Sequence, residues 1–134
     1  MAKVNLKIVQ PHKIFIDADY DQLIIPGVDG DFGVLEGHTP FITQIRPGIL
    51  TVINGENSHE YAIHDGFVTV ENNKVTIICE IIEESNQIDI KRAEAAKKRA
   101  EERLKAQKGD INYRRAEYAL KRAIARIELV DKKI

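Results

Sequence analysis

The chain has 134 residues, 43% hydrophobic and 31% charged, a globular composition that excludes disordered and fibrous classes and fits one domain, or one domain with an appendage. No run approaches the roughly 18 to 20 apolar residues of a membrane span, and Met1-Ala2-Lys3-Val4-Asn5-Leu6 lacks the apolar core of a signal peptide, so a soluble, cytoplasmic chain is expected, able to dock on something embedded in a membrane. The net charge of −1 hides a division: residues 1–87 carry five Lys or Arg against thirteen Asp or Glu, and residues 88–134 carry fifteen against eight. Halves near −8 and +7 are expected to meet different partners, or the basic half to fold back on something acidic.

All four prolines, and every glycine except Gly109, lie before residue 67. Between these breakers sit short segments of β-branched and aromatic residues: Val4 to Val9, Leu23 to Ile25, Gly48 to Ile53, Glu60 to Ile63, Phe67 to Val70 and Lys74 to Cys79. They predict an antiparallel β-sandwich or flattened barrel over 1–87. Gly27-Val28-Asp29-Gly30-Asp31-Phe32-Gly33 superficially resembles a phosphate loop, but no helix follows it and two acids sit inside it, so it reads as a turn between strands. Asn72-Asn73 is a two-residue hairpin loop, since asparagine tolerates positive φ. Cys79, the single cysteine, falls inside a strand and is expected to be buried.

From Ile88 the pattern turns helical and rich in Ala, Lys, Glu and Arg, to about Gln107, and resumes from about Ile111 to Val130. Lys108-Gly109-Asp110 separates the two helices, with Gly109 as a C′ glycine and Asp110 as an N-cap, which makes 88–134 an antiparallel helical hairpin. Ala116, Leu120, Ala123, Ile127 and Val130 form a heptad seam on the second helix, opposed by Ala93, Ala96, Ala100 and Leu104. A methyl-lined seam buries little area, so such a hairpin is marginally stable on its own and its geometry depends on what it touches. The reading is a movable element; a hairpin fixed on the β domain is the alternative.

Enzyme signatures are missing. There is no Walker-type loop, no nucleophile elbow, and His12, His38, His59 and His64 share no ligand spacing. A non-catalytic binding or regulatory protein follows. The arginines are more informative: Arg92, Arg99 and Arg103 stand at offsets 0, 7 and 11, and Arg115, Arg122 and Arg126 repeat those offsets. In a hairpin turning at Gly109, Arg92 is level with Arg126 and Arg103 with Arg115. Guanidinium forks suit phosphate or carboxylate oxygens. Spacing alone leaves open a solvated basic face balanced by Glu94, Glu101, Glu102 and Glu117. A nucleic-acid module is disfavoured by those interspersed acids, by the lack of aromatics for stacking, and by a total charge near zero.

Several segments, in order, carry a family resemblance: Gly30-Asp31-Phe32-Gly33-Val34-Leu35-Glu36-Gly37-His38-Thr39-Pro40, Ile45-Arg46-Pro47-Gly48, Gly66-Phe67-Val68-Thr69-Val70, and Ile88-Asp89-Ile90-Lys91-Arg92-Ala93. Across essentially its full length the chain resembles the epsilon subunits of bacterial rotary (F-type) ATP synthases. It departs from the family at Asp31, where Glu is usual, and at Glu36, where Pro is usual.

The resemblance implies an N-terminal β-sandwich on the foot of the central rotor stalk, touching the gamma subunit and the c-ring, at the cytoplasmic face of the bacterial membrane. Asp31 matches an acidic position associated with the ring, and His38 and Thr43 match positions facing gamma. The C-terminal hairpin of the family either folds on the sandwich or extends along gamma into the alpha/beta catalytic head, where it obstructs ATP hydrolysis and its basic residues lie near acidic segments of the beta subunits. In some members the folded hairpin binds one ATP. Ile88, Asp89, Arg92 and Ala93 match that motif, and Glu83, Arg99, Arg122 and Arg126 match the positions that complete it. No required cofactor is implied, with ATP as a regulatory ligand. A purely structural coupling subunit without nucleotide sensing is the alternative.

Overall fold

A computed structural model describes residues 3–106 and 110–131. Eight strands precede two helices: β1 (Val4–Gln10), β2 (Lys13–Tyr20), β3 (Gln22–Gly27), β4 (Gly30–Val34), β5 (Phe41–Ile45), β6 (Gly48–Asn54), β7 (Asn57–Glu71), β8 (Lys74–Glu83), α1 (Ile90–Ala106) and α2 (Asp110–Asp131). The strands run in the order β2-β1-β8-β7-β5-β3-β4, with β6 paired to β3 and β7. They form the sandwich expected from the turn-punctuated sequence. Its pairings are antiparallel except one, β1 beside β8, which is parallel.

The long strand β7 joins the two parts of the sandwich, pairing through Asn57–Ile63 with β6 and through Gly66–Val70 with β5. The sequence reading split it in two at Asp65-Gly66, and the backbone does bend there. Asp65 takes a φ of 53°, and a side chain at Gly66 would run into the carbonyl oxygen of Ile78. The bend also resets the alternation. Tyr61 and Ile63 face the core before it and Val68 and Val70 after it, so odd positions point inward and then even ones. The core further collects Leu6 and Ile8 of β1, Leu23 and Ile25 of β3, Leu50 of β6 and Ile77 of β8.

Strands β2, β4 and β5 were missing from the sequence reading. β2 is mostly exposed and carries Asp17 and Asp19, so it shows no apolar alternation, and β4 takes up Gly30 to Gly33, which the sequence assigned to a turn; the turn itself is confined to Val28 and Asp29, and β3 and β4 pair on either side of it. Two other expectations hold. Asn72 and Asn73 close the β7–β8 turn with φ of 52° and 62°, and Cys79 is buried, which pushes its thiol up to about 11.

α1 starts two residues later than the helical pattern suggested. A 3₁₀ turn at Ser85–Gln87 precedes it, and the Asp89 carboxylate accepts the Arg92 backbone N–H at 3.1 Å, an N-cap. Only Ala93 and Ala100 of α1 are buried, in keeping with a methyl-lined seam. The expected roles of Lys108 and Gly109 lie outside the described residues, as does the Asp110 side chain expected to cap α2. On α2 the seam reading captured one of two buried faces. Ala116 and Ala123 are buried on the seam, whereas Leu120, Ile127 and Val130 are half-buried; Ala125 and the fully buried Leu129, one turn apart, form a second apolar face. α2 lies against β6 and β7 as well as α1, and Ala125 shares a cavity wall with Gly48 and Ile49 of β6. The hairpin is therefore folded down on the sandwich.

Candidate nucleotide site and docking surfaces

The junction of β8, the 3₁₀ turn and the two helices encloses a cavity of about 350 Å³. Seven of the eight residues singled out for a nucleotide line it: Glu83, Ile88, Asp89, Arg92, Ala93, Arg99 and Arg126. Each is placed for a local reason. Glu83 closes β8, Ile88 and Asp89 form the entry to α1, and Arg92 and Arg99 are two turns apart on one face of α1. Arg126 reaches them from α2, as the level pairing of Arg92 with Arg126 required.

Arg122, the eighth, is not part of the cavity wall; its Nη1 lies 3.9 Å from an Asp65 carboxylate oxygen. Arg103 and Arg115 are exposed and take no part. Gln87 and Ala96 complete the lining. Ala96 was noted only as a seam residue, and Gln87 was missed because a lone glutamine in a polar linker carries no signal. The Gln87 side-chain oxygen accepts the Glu84 backbone N–H at 2.9 Å, and the Glu84 side chain caps the Gln87 backbone in return. That reciprocal bond fixes the cavity rim and leaves the Gln87 amide nitrogen as a donor.

The strongest polar contact at the cavity is Arg126 Nε to Glu83 Oε1 at 2.7 Å, a charge-assisted bond between side chains about one quarter exposed (26% and 25%). Behind it lies His64, fully buried, its Nε2 3.8 Å from the same Glu83 oxygen. Burial first, then the guanidiniums of Arg126 and Arg122, push the His64 ring down to about 3, so it is neutral at physiological pH. Three arginines, Arg92, Arg99 and Arg126, line this one cavity together with the carboxylates Glu83 and Asp89, and guanidinium donors suit the oxygens of phosphates or carboxylates.

The three residues assigned to subunit contacts lie on the sandwich. Asp31 pairs with Arg46 at 2.6 Å, and Arg46 also donates to the Gly27 carbonyl at 2.8 Å. These two residues face α2 across a second cavity, of about 420 Å³, which Lys121 and Glu128 line from the helix side. His38 stands beside Phe32 and Phe41, ring centroids 6.5 and 6.3 Å away, and its Nδ1 lies 2.6 Å from the Thr39 carbonyl. Thr43 is half-buried on the face of β5 that it shares with Phe41.

A larger surface escaped the sequence reading. Gln44, Phe67, Ile78, Val9 and Ile14 are successive register partners across β5, β7, β8, β1 and β2. Phe67, Ile78 and Ile14 are 56%, 60% and 55% exposed, and Ile42 on the same face of β5 is 73% exposed. A row of large apolar side chains open to solvent marks a protein-binding face. The signal lay in the pairing register, which a single sequence does not display. Among the described residues no helix is long and apolar enough to cross a membrane, and no group of His, Cys, Asp or Glu could hold a metal ion.

Residues 3–85 match the family model of the β-sandwich domain of the ATP synthase delta/epsilon chain, and residues 86–131 match the model of its long α-helix domain. Among curated relatives, the ATP synthase epsilon chain of Desulforamulus reducens is 39% identical over 132 residues, covering 98% of this chain and 100% of that one. The ATP synthase epsilon chain of Ruminococcus albus is 40% identical over 134 residues, covering 99% and 100%. Among solved structures, a chain of the Euglena gracilis mitochondrial ATP synthase OSCP/F1/c-ring assembly in rotational state 1 superimposes with a TM-score of 0.82 at 23% identity, covering 99% of this chain and 82% of that one, a likeness of fold. A sandwich joined to a two-helix hairpin, both family models in order along one chain, and relatives near 40% identity from end to end place this chain in the ATP synthase epsilon family, as a non-catalytic subunit.

Proposed function

We propose that this chain is a central-stalk subunit of a bacterial ATP synthase, peripheral at the cytoplasmic face of the membrane, and that its folded hairpin holds one ATP. The observation that carries the nucleotide reading is the cavity between β8, α1 and α2, with Arg92, Arg99 and Arg126 converging on it. The triphosphate lies against the three guanidiniums and so bridges the two helices. Arg126 spends only Nε on Glu83, which leaves its terminal nitrogens for phosphate oxygens. Asp89 and the Gln87 amide serve the sugar and base side, with Ile88, Ala93 and Ala96 supplying apolar contact. Arg122 contributes through the field it adds beside Arg126 rather than by lining the cavity.

ATP that binds only the folded hairpin stabilises it by RT ln(1 + [L]/Kd), about 2.7 kcal/mol at a hundredfold excess over Kd, enough to bias a weakly sealed element. Scarce ATP then lets the hairpin extend along gamma into the alpha/beta head and obstruct hydrolysis, its basic residues meeting acidic beta-subunit segments. The sandwich remains on the stalk, with Asp31 toward the c-ring and His38, Thr43 and the apolar row of Phe67 and Ile78 toward gamma. A second reading, a structural coupling subunit that senses no nucleotide, draws on the ion pairs Arg126–Glu83 and Arg122–Asp65, which already tie α2 to the sandwich.

Calorimetric titration of the intact protein with ATP separates the two. Saturable binding that weakens at least tenfold in Arg92→Ala and in Arg99→Ala is expected. Absence of heat at millimolar ATP, or unchanged affinity in both variants, would refute the nucleotide reading and favour the structural one.

A further inference from the structure

We infer that His64 makes docking of the helical hairpin proton-sensitive, because the ring is sealed under α2 as a neutral group and must be released from the interface to accept a proton. The placement follows from the strand alternation. Tyr61 and Ile63 of β7 point into the sandwich core, so Ala62 and His64 point to the other face, yet both are fully buried and neither belongs to the core. The elements outside the sheet that lie against β7 are α2 and the 3₁₀ turn leading into α1, and it is α2 that brings Arg122 and Arg126 to His64. His64 is thus buried by the hairpin, and lifting the hairpin returns it to water on an open sheet.

The surroundings of the ring do not accommodate a cation. Neither ring nitrogen has a hydrogen-bond partner among the described residues. From α2 the charged groups near it are Arg122 and Arg126. From β8 it meets Glu83, whose Oε1 is 3.8 Å from Nε2 but is already bonded to Arg126 at 2.7 Å. On its own strand the next residue, Asp65, stands 3.9 Å from Arg122. The β6 residues opposite this part of β7, Gly48, Ile49 and Leu50, bring no charge, nor do Ser85, Asn86 and Gln87 of the 3₁₀ turn. A protonated ring would be a buried cation beside two guanidiniums, with each nearby carboxylate engaged by one of them.

The sign follows from linkage. The docked state holds the ring neutral down to about 3, and a released ring titrates near 6.5, so the released state binds more protons between those values. Docking is therefore undiminished above about pH 7 and weakens as pH falls through 6.5. With a released value of 6.5, the docking constant falls about tenfold between pH 7.5 and pH 5.5. Acidification thus opposes the folded hairpin without any nucleotide, so the inference stands apart from the ATP reading.

The test uses the full chain without ATP. Native-state hydrogen exchange of the α2 amides, referenced to intrinsic rates at each pH, gives the opening constant of the hairpin. Opening should become about tenfold more favourable from pH 7.5 to pH 5.5 in the unsubstituted protein and stay constant in His64→Gln, which cannot titrate. Equal pH dependence in the two, or none in the unsubstituted protein, would overturn the inference. If His64→Gln does not fold, imidazole titration by NMR decides: the His64 resonance should shift only together with loss of α2 protection. A His64 ring that titrates near 6.5 while α2 remains protected would overturn it equally.

Discussion

Truncating Leu129 to alanine probes the contact that holds the hairpin down. The residue is fully buried, one turn from Ala125 on the face of α2 turned to the sandwich. Removing its γ and δ carbons forfeits about 2.4 kcal/mol, at about 0.8 kcal/mol per buried carbon. The cavity left behind raises the loss to about 3 to 4 kcal/mol. The rest of the hairpin closes over Ala93, Ala100, Ala116 and Ala123, too little apolar area to compensate. Leu129→Ala should therefore release the hairpin while the sandwich, whose core contains no residue of α2, stays folded. Hydrogen exchange resolved by segment reads both at once: α2 amides should lose protection by a factor of at least about a hundred, with β1, β7 and β8 unchanged. Leu120→Ala, half-buried on the seam, should cost only about 1 to 2 kcal/mol. Unchanged α2 protection in Leu129→Ala would refute the view that this face anchors the hairpin.

Three further outcomes follow from named contacts. A double-mutant cycle of Glu83→Gln and Arg126→Ala should give a coupling of about 1 to 2 kcal/mol in α2 protection, between the values of exposed and buried pairs, because both side chains are about a quarter exposed (25% and 26%). Asn73→Val should destabilise the sandwich by about 1 to 3 kcal/mol in urea unfolding, since it places a β-branched residue at a φ of 62° and removes the bond from the Gly37 N–H, whereas Asn72→Gly should change stability little. Phe67→Asp together with Ile78→Asp should leave the fold intact by circular dichroism and abolish co-purification with gamma.

Much of this was legible in the sequence where local chemistry has one outcome. The Asn72-Asn73 turn, the strand placement of Cys79 and the level pairing of Arg92 with Arg126 depend only on backbone preference or helix geometry, and each appears in the structure. What stayed hidden depends on which surfaces meet. α2 presents two apolar faces, and a heptad template found the one toward α1 while Ala125 and Leu129 looked incidental. β7 read as two strands because Gly66 looks like a turn, although it permits a bend where β8 passes too close for a side chain. His64 looked like one of four scattered histidines; only the docked helix makes it a buried group in a charged setting.

The central claim, that ATP stabilises the hairpin in its folded position, is tested most directly by a distance between the two parts. Spin labels at Glu71→Cys on the sandwich and Lys98→Cys on α1, both exposed, report that distance, and buried Cys79 can stay in place. Titrating ATP at constant pH should collapse a mixture of distances into the single short one of the folded state, and Arg92→Ala should shift the midpoint at least tenfold. Binding of ATP that leaves the distance distribution unchanged would contradict the account.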